Sequence, residues 1–488
     1  MGRGVKKKVV YPEQEEIIFV TKEAILERGK SAVGKTVGEI DKYGRLSKDG
    51  VRGRIGHIIE ESLYGYHPNS DSKPDFEKAG VELKSTGALK DKKKGYTAKE
   101  RLVLNIINYM KEVDKTFETS SFWTKNRLLM LIIYEYLENR EQRDFPIIGA
   151  ELFTYPEKDL IIIRDDWKKI VQKIRDGKAH ELSEGDTLYL GACTKGLNAE
   201  KSLRQQPRSN EEAKQRAYCL KKQYMRFVIE DYIFGKRQEE TIIKDIQSVA
   251  QQGFESFVLK KLDEYHGRSV KELKEEFGIT NNPKNLSSLL AFRILGLKGN
   301  KAEELEKAGV VIKTVRVNYD GTITQHMSFP TFKYRDLAKE DTWEDSWFGN
   351  YMRDTRFLLI IFRYDKVGEQ RLEGGQFWNI PYNDLEVHVR TVWQRARDII
   401  KEGRLVVDIK NEKLWSNLPK PSENHVSHVR PHGRNRNKSI NPLPEGTKLT
   451  INSTDGSLVW PYDDKYPTHC FWLNNTYVLS HLEERFKK

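Results

Sequence analysis

Within SKPDFEKAGVELKSTG (72–87), Asp75, Glu82 and Lys84 stand in the spacing D-x6-E-x-K. Two carboxylates offer hard oxygen ligands to one or two divalent cations such as Mg2+. A lysine two residues further along a strand shares the face of Glu82, where it is suited to orient or deprotonate a water or to stabilise charge on a phosphate. Residues of these types point to metal-assisted in-line displacement at a phosphodiester. Glu60, closing the segment IGHIIE, either completes the metal site or assists Lys84. The bland alternative is a solvated charge run, because a chain with 72 acids and 84 lysines and arginines makes such spacings by chance.

The elements that must hold these groups are readable in outline. In VELKS the strand alternation sends Val81 and Leu83 into the core and leaves Glu82 and Lys84 together. Pro74 biases the residues before it towards extended chain and helps fix the turn carrying Asp75. Asp75 and Glu82 are therefore expected to converge from adjacent strands. VRGRIGHIIEESLYG has helical apolar spacing, and DWKKIVQKIRDG also reads as a helix. VELKST, LLMLIIYEY, IIGAELFTY, LIIIRDDW, LLIIFRY and DTLYLGACTK read as strands. The expected fold class is α/β (α+β), a mixed β-sheet flanked by helices.

The chain also contains itself twice. DFEKAGVELKST (75–86) recurs as ELEKAGVVIKTV (304–315), and five further stretches match loosely in the same order. They include GRIGHIIEESLYG against NLSSLLAFRILGLKG, and ETSSFWTKNRLLMLIIYEY against EDSWFGNYMRDTRFLLIIFRY. Collinear order makes a duplicated domain the economical explanation. The halves are 1–240 and 241–488, joined by a charged, helical connector, KRQEETIIKDIQSVAQQGFES (236–256). In this pairing Asp75 faces Glu304, Glu82 faces Val311, Lys84 faces Lys313, and Lys125 faces Asp354. Glu60 faces Ala291, Phe292 or Arg293, depending on a one-residue gap. The second copy keeps the apolar frame and changes the charged set, as expected if Glu60, Asp75, Glu82 and Lys84 act as a unit.

The bulk composition narrows the classes. A length of 488 residues exceeds what one core usually serves, in agreement with two domains. No apolar run approaches the roughly 20 residues of a membrane span. The basic start, MGRGVKKKVVYPEQEE, lacks the apolar stretch of a secretory signal, so a cytoplasmic protein is expected. Cys193, Cys219 and Cys470 show no CxxC spacing, which excludes a disulfide framework and argues against structural zinc. His425, His428 and His432 form no better metal site, because Pro431 breaks any helix that would align His428 with His432. The formal charge of +12 favours a polyanionic partner, with LKDKKKGYTAKER (89–101) and HVRPHGRNRNKS (428–439) as the expected phosphate contacts.

SDSKPDFEKAGVELKST, preceded by IGHIIEESLYG, resembles the active-site region of the MutH mismatch-repair nicking enzymes, and more closely the GATC-cutting restriction endonucleases of the Sau type. SAVGK, KERLVLNIINY, FETSSF, GKAHELSEG, AKQRA, VIKTV and HVRPH extend the resemblance over nearly the whole chain. It implies tandem MutH-like domains of the PD-(D/E)xK superfamily. The first would be catalytic, through Asp75, Glu82 and Lys84 with Glu60 and a further active-site lysine, Lys125. Asp75, Glu82 and Glu60 would hold Mg2+. The second would lack the catalytic acids and bind a second GATC as an allosteric effector. The expected substrate is double-stranded 5′-GATC-3′, cut before the G. The partners would then be DNA with one site per domain, a DNA-induced dimer, and a cognate methyltransferase that forms no stable complex.

Expected DNA contacts are Lys195 and Asn198 in CTKGLNAEKS, Lys221 and Lys222 in AYCLKKQY, and Arg430, His432 and Arg434 in HVRPHGRNRN. The side-chain chemistry suits this, since lysine donates to guanine acceptors and asparagine pairs with adenine. The first half has Cys193-Thr194 where the MutH type carries an arginine-proline pair, which the second half has as Arg430-Pro431. Two alternatives stay open: a MutH-like strand-nicking repair enzyme, and a GATC-binding protein that no longer cuts.

Overall fold

The structure, a computed structural model, describes residues 19–47, 53–67, 71–91, 95–195, 202–235, 240–432 and 439–487. The chain divides into two compact units, Met1–Ala179 with Tyr189–Gln238, and Glu239–Lys488 with His180–Leu188.

The strands of the first unit that build its two larger sheets are β1 (Glu82–Asp91), β2 (Gly95–Ala98), β3 (Leu102–Ile106), β4 (Leu129–Glu135), β5 (Ile147–Phe153), β6 (Leu190–Thr194) and β7 (Arg216–Leu220). One sheet has the order β2-β1-β4-β5 and another the order β3-β7-β6. β4 runs parallel to β1 and antiparallel to β5. It is buried from Leu129 to Tyr134, so its sequence is a continuous apolar run instead of an alternating one. The helices that matter here are α1 (Lys22–Lys30), α2 (Arg54–Ile58), α3 (Ser121–Asn126) and α4 (Glu157–Arg175). α2 runs on into a π-turn, Ile59–Leu63, in which the Tyr64 N–H donates to the Ile59 carbonyl at 3.2 Å.

LIIIRDDW (160–167), expected as a strand, lies inside α4. A short apolar run fits either state, and its surroundings decide. Pro156 precedes the first turn, Glu157 and Asp159 favour its positive end, and Ile162, Ile163, Trp167, Ile170, Val171 and Ile174 make one buried stripe. The expected connector is helical over Ile246–Gln252 and again from Phe254.

The second unit contains α5 (Leu286–Ile294), α6 (Glu303–Ala308), α7 (Trp347–Asp354) and α8 (Arg390–Lys401). Its sheets use β8 (Val311–Val317), β9 (Met327–Thr331), β10 (Phe357–Tyr364), β11 (Gln370–Trp378), β12 (Ser427–Pro431) and β13 (His469–Leu473). The orders are β8-β10-β11 and β9-β13-β12. Here too the central β10 is parallel to the first strand and antiparallel to the last. Register repeats as well as order. Glu82 pairs with Leu129 at the head of β1, and Val311 with Phe357 at the head of β8. Leu102 and Leu190 both pair with Leu220, and Met327 and Ser427 both pair with Leu473.

An acid fixes the same corner in each unit, Glu112 buried in the first and Glu340 half-buried in the second. Glu112 accepts from the Ser121 N–H at 3.2 Å and from Trp167 Nε1 on α4 at 3.3 Å. Glu340 accepts from the Trp347 N–H at 2.7 Å and from Trp393 Nε1 on α8 at 2.6 Å. Ser120 and Ser346 cap the helices that follow. Counting from those caps puts Lys125 opposite Tyr351, which corrects the expected partner Asp354. The two halves differ in length between cap and strand, so an ungapped match slips by a few positions.

Among the described residues, no helix is long and apolar enough to cross a membrane. All three cysteines are buried and none is in a disulfide.

Candidate active site

β1 opens on the site. Val81 and Leu83 pack into the core of the first unit, while Glu82 is buried and Lys84 half-buried on the other face. Asp75 is not on a neighbouring strand as expected. The chain turns at Phe76–Gly80 and closes through one isolated bridge, Phe76 to Val81, so Asp75 reaches Glu82 across a tight turn. Gly80 makes that turn possible with a φ of +65°, as Gly309 does at +63° in the second unit.

The turn ties both acids to its backbone. Asp75 Oδ2 accepts from the Leu83 N–H at 3.0 Å, and Glu82 Oε2 accepts from the Asp75 N–H at 3.1 Å. Glu82 Oε1 is held by the Lys84 ammonium. Lys125 Nζ, brought in by α3, lies 3.7 Å from that same oxygen and donates to the Asp71 carbonyl at 2.6 Å. Glu60 comes from the π-turn, whose extra residue sets where its side chain emerges. The next residue, Glu61, is buried against Arg45. Glu60, Lys84, Thr86, Glu100 and Arg101 line a cleft of about 260 Å³ alongside β1.

The electrostatics follow from crowding acids out of water. Burial first, and then the charge of Asp75, push the Glu60 carboxyl up to about 7, against the pull of Lys84. Burial also raises Glu82, opposed by Lys84. For Glu60 the stability sign is definite. Its folded pKa lies above the ordinary 4.5, so its contribution is full below about pH 4.5 and is lost as pH rises through 7. Glu60→Gln should therefore flatten the fall in stability between pH 5 and pH 8. The expected gain at pH 8 is on the order of 2 kcal/mol after allowance for its partly solvated edge. Thermal unfolding of metal-free protein at both pH values measures it. Parallel curves for wild type and variant would refute it.

The donor set suits a hard divalent cation. Asp75 and Glu82 have each committed one oxygen to a backbone N–H, and the other Glu82 oxygen sits between two ammonium groups. Among the described residues no three His, Cys, Asp or Glu side chains form a ready cage. The fit is thus to an ion held by two carboxylates, with waters and DNA phosphate filling the remaining places, as Mg2+ commonly is.

The expected DNA contacts are spread over the molecule. Lys195 is exposed just past β6, and Lys222 is exposed after β7. Lys221 departs from the expectation of a surface contact: it is only 4 % exposed, because its N–H donates to the Tyr189 carbonyl where β7 ends. Arg430 is exposed with its guanidinium 5.2 Å from the Trp472 ring, and His432 Nδ1 lies 3.5 Å from Cys470 Sγ. Asn198 and Arg434 lie outside the described residues.

The same frame in the second unit holds different chemistry. Val311 stands where Glu82 does, and Glu304 where Asp75 does. The Glu304 carboxylate accepts from the N–H groups of Ile242 and Ile243, each at 2.9 Å, and from the Thr241 hydroxyl. Lys313 keeps the place of Lys84, but it donates to the Ser328 carbonyl at 2.5 Å and burial lowers its pKa. Glu112 and Glu340 were not foreseen from sequence. Their partners lie as far as 106 residues away, and no local pattern announces them.

Two acids tied to the backbone of one turn and met by two lysines at the head of a sheet strand form a candidate site of the kind a metal-dependent nuclease needs. The family model described as DNA mismatch repair enzyme MutH matches residues 64–166, which include this site except for Glu60. The chain is 38% identical over 494 residues to the type II restriction enzyme Sau3AI of Staphylococcus aureus, covering 96% of this chain and 99% of that protein. It is 25% identical over 188 residues to the DNA mismatch repair protein MutH of Shewanella woodyi, covering 37% of this chain and 77% of that protein. The chain belongs to the Sau3AI family of type II restriction enzymes, site-specific deoxyribonucleases related to MutH.

Proposed function

We propose that the first unit cuts double-stranded DNA at 5′-GATC-3′, before the G, and that the second binds another GATC and promotes the cut. The observation that carries this reading is the repeated strand frame, in which only the first copy sets Glu82 beside Asp75, Lys84 and Lys125. A solvated charge run would have no reason to gather these groups around a buried Glu82. The choice of GATC rests on the resemblance of the motifs.

Enzymes of this kind generally use a divalent metal, and Asp75 and Glu82 are the residues proposed to hold Mg2+, with Glu60 at its margin. When bound, such an ion polarises the phosphoryl oxygens and acidifies a bound water. Lys84 then orients the attacking water and Lys125 balances charge on the phosphate. Glu60, with its carboxyl near 7, is placed to take a proton at physiological pH. Lys195 and Asn198 read bases for the first unit, Lys222 contacts phosphate, and Arg430, His432 and Arg434 serve the second unit.

A plasmid with two GATC sites, incubated with the full chain and Mg2+, is expected to give two linear fragments. A plasmid with one site should be cut several-fold more slowly. DNA left supercoiled at every enzyme ratio would remove the nuclease reading, and equal rates would remove the effector. Open circles without further cutting would favour a MutH-like nickase.

A further inference from the structure

The face of β1 that carries Glu82 and Lys84 continues at Thr86. Thr86 is buried, 3% exposed, and its hydroxyl has no hydrogen-bond partner. It lines the same cleft as Lys84 and Glu60. A buried hydroxyl without a partner costs stability, so its retention needs a reason.

The position of Lys84 supplies one. Its ammonium now occupies Glu82 Oε1, the oxygen that faces both lysines. If Glu82 turns that oxygen to a metal, Lys84 must find another acceptor. Thr86 lies two residues on along the same face, with an unused acceptor. We propose that Thr86 is a positioning residue whose hydroxyl receives the Lys84 ammonium when Glu82 ligates the metal.

The second unit supports this by contrast. Register places Val315 of β8 where Thr86 stands in β1, since Thr86 pairs with Ile133 and Val315 with Ile361. In that unit the acid is Val311, and Lys313 is anchored on the Ser328 carbonyl. Where no carboxylate releases a lysine, the hydroxyl is absent. Val315, 4% exposed, also shows that the same strand frame accepts valine at this place.

This inference rests on the catalytic reading of the first unit, and its test keeps the two apart. Wild type, Thr86→Val and Thr86→Ser are compared for thermal midpoint without metal, and for kcat and KM on a GATC duplex with Mg2+. Thr86→Val should raise the metal-free midpoint, by roughly 2–4 °C, because it removes an unsatisfied hydroxyl. It should lower kcat about tenfold, equivalent to about 1.4 kcal/mol of barrier, with little change in KM. Thr86→Ser, which keeps the hydroxyl, should stay within about threefold of wild type by the same conversion. A Thr86→Val enzyme of unchanged kcat, a midpoint that falls, or a serine variant as slow as the valine one would each overturn the proposal. A folded wild type that cuts nothing would instead overturn the catalytic reading.

Discussion

Glu82→Ala is expected to cut GATC duplexes at least about a thousandfold more slowly than wild type, while binding them almost as tightly. Three decades of rate correspond to about 4 kcal/mol, within what loss of a metal's charge stabilisation removes. The local structure explains why one residue carries so much. Its Oε2 holds the Asp75 N–H at 3.1 Å, and its Oε1 is shared by Lys84 and, at 3.7 Å, Lys125. Alanine removes a proposed ligand, releases the Asp75 turn and takes away the carboxylate that faces two ammonium groups. Binding should persist because metal ligands do little of the base reading. A Glu82→Val variant is a useful companion, since Val311 occupies the same register at the head of β8. Single-turnover cleavage and gel-shift titration give the two numbers. Cleavage within tenfold of wild type would show that Glu82 is not the ligand.

Glu112→Ala should have the largest effect on stability, about 3–5 kcal/mol. The side chain is 2% exposed and accepts from the Ser121 N–H, from Trp167 Nε1 at 3.3 Å and from the Tyr218 hydroxyl at 3.1 Å. Alanine strands three donors, two of them on the buried Trp167 and Tyr218, and it frees the start of α3, which carries Lys125. Glu112→Gln keeps one carbonyl acceptor and should lose less. Urea denaturation followed by far-ultraviolet circular dichroism measures both. A loss below about 1 kcal/mol for alanine would mean the corner is held by packing alone.

The parts of the site that were legible obey short-range rules. VELKS announced its faces because strand alternation is local, and Val81, Glu82, Leu83 and Lys84 fall as that pattern requires. EKAG announced the repeat because a turn closed by Gly80 or Gly309 needs the same few residues each time. The approach of Asp75 was misjudged, since a proline signals extended chain without saying whether a strand or a turn follows. LIIIRDDW was misread because four apolar residues in a row carry no period, and only Pro156 and the first-turn acids identify a helix. Lys125 was matched to the wrong partner for want of a landmark between Ser120 and β4. The short strands β3 and β9 find their partners more than a hundred residues away, and that information is absent from any window of sequence.

The Glu304 carboxylate also bears on how such a chain can change over generations. On the proposed reading, the second unit gave up cutting when its first strand lost an acid. Its other acid has since become a clasp for the backbone at Thr241, Ile242 and Ile243. Returning a glutamate at Val311 alone would not rebuild the pair, because Glu304 would have to abandon three donors to serve it. The loss works as a ratchet. On that reading one substitution would open the path away from catalysis, and the way back would need at least two changes, at Val311 and in the three-donor clasp of Glu304.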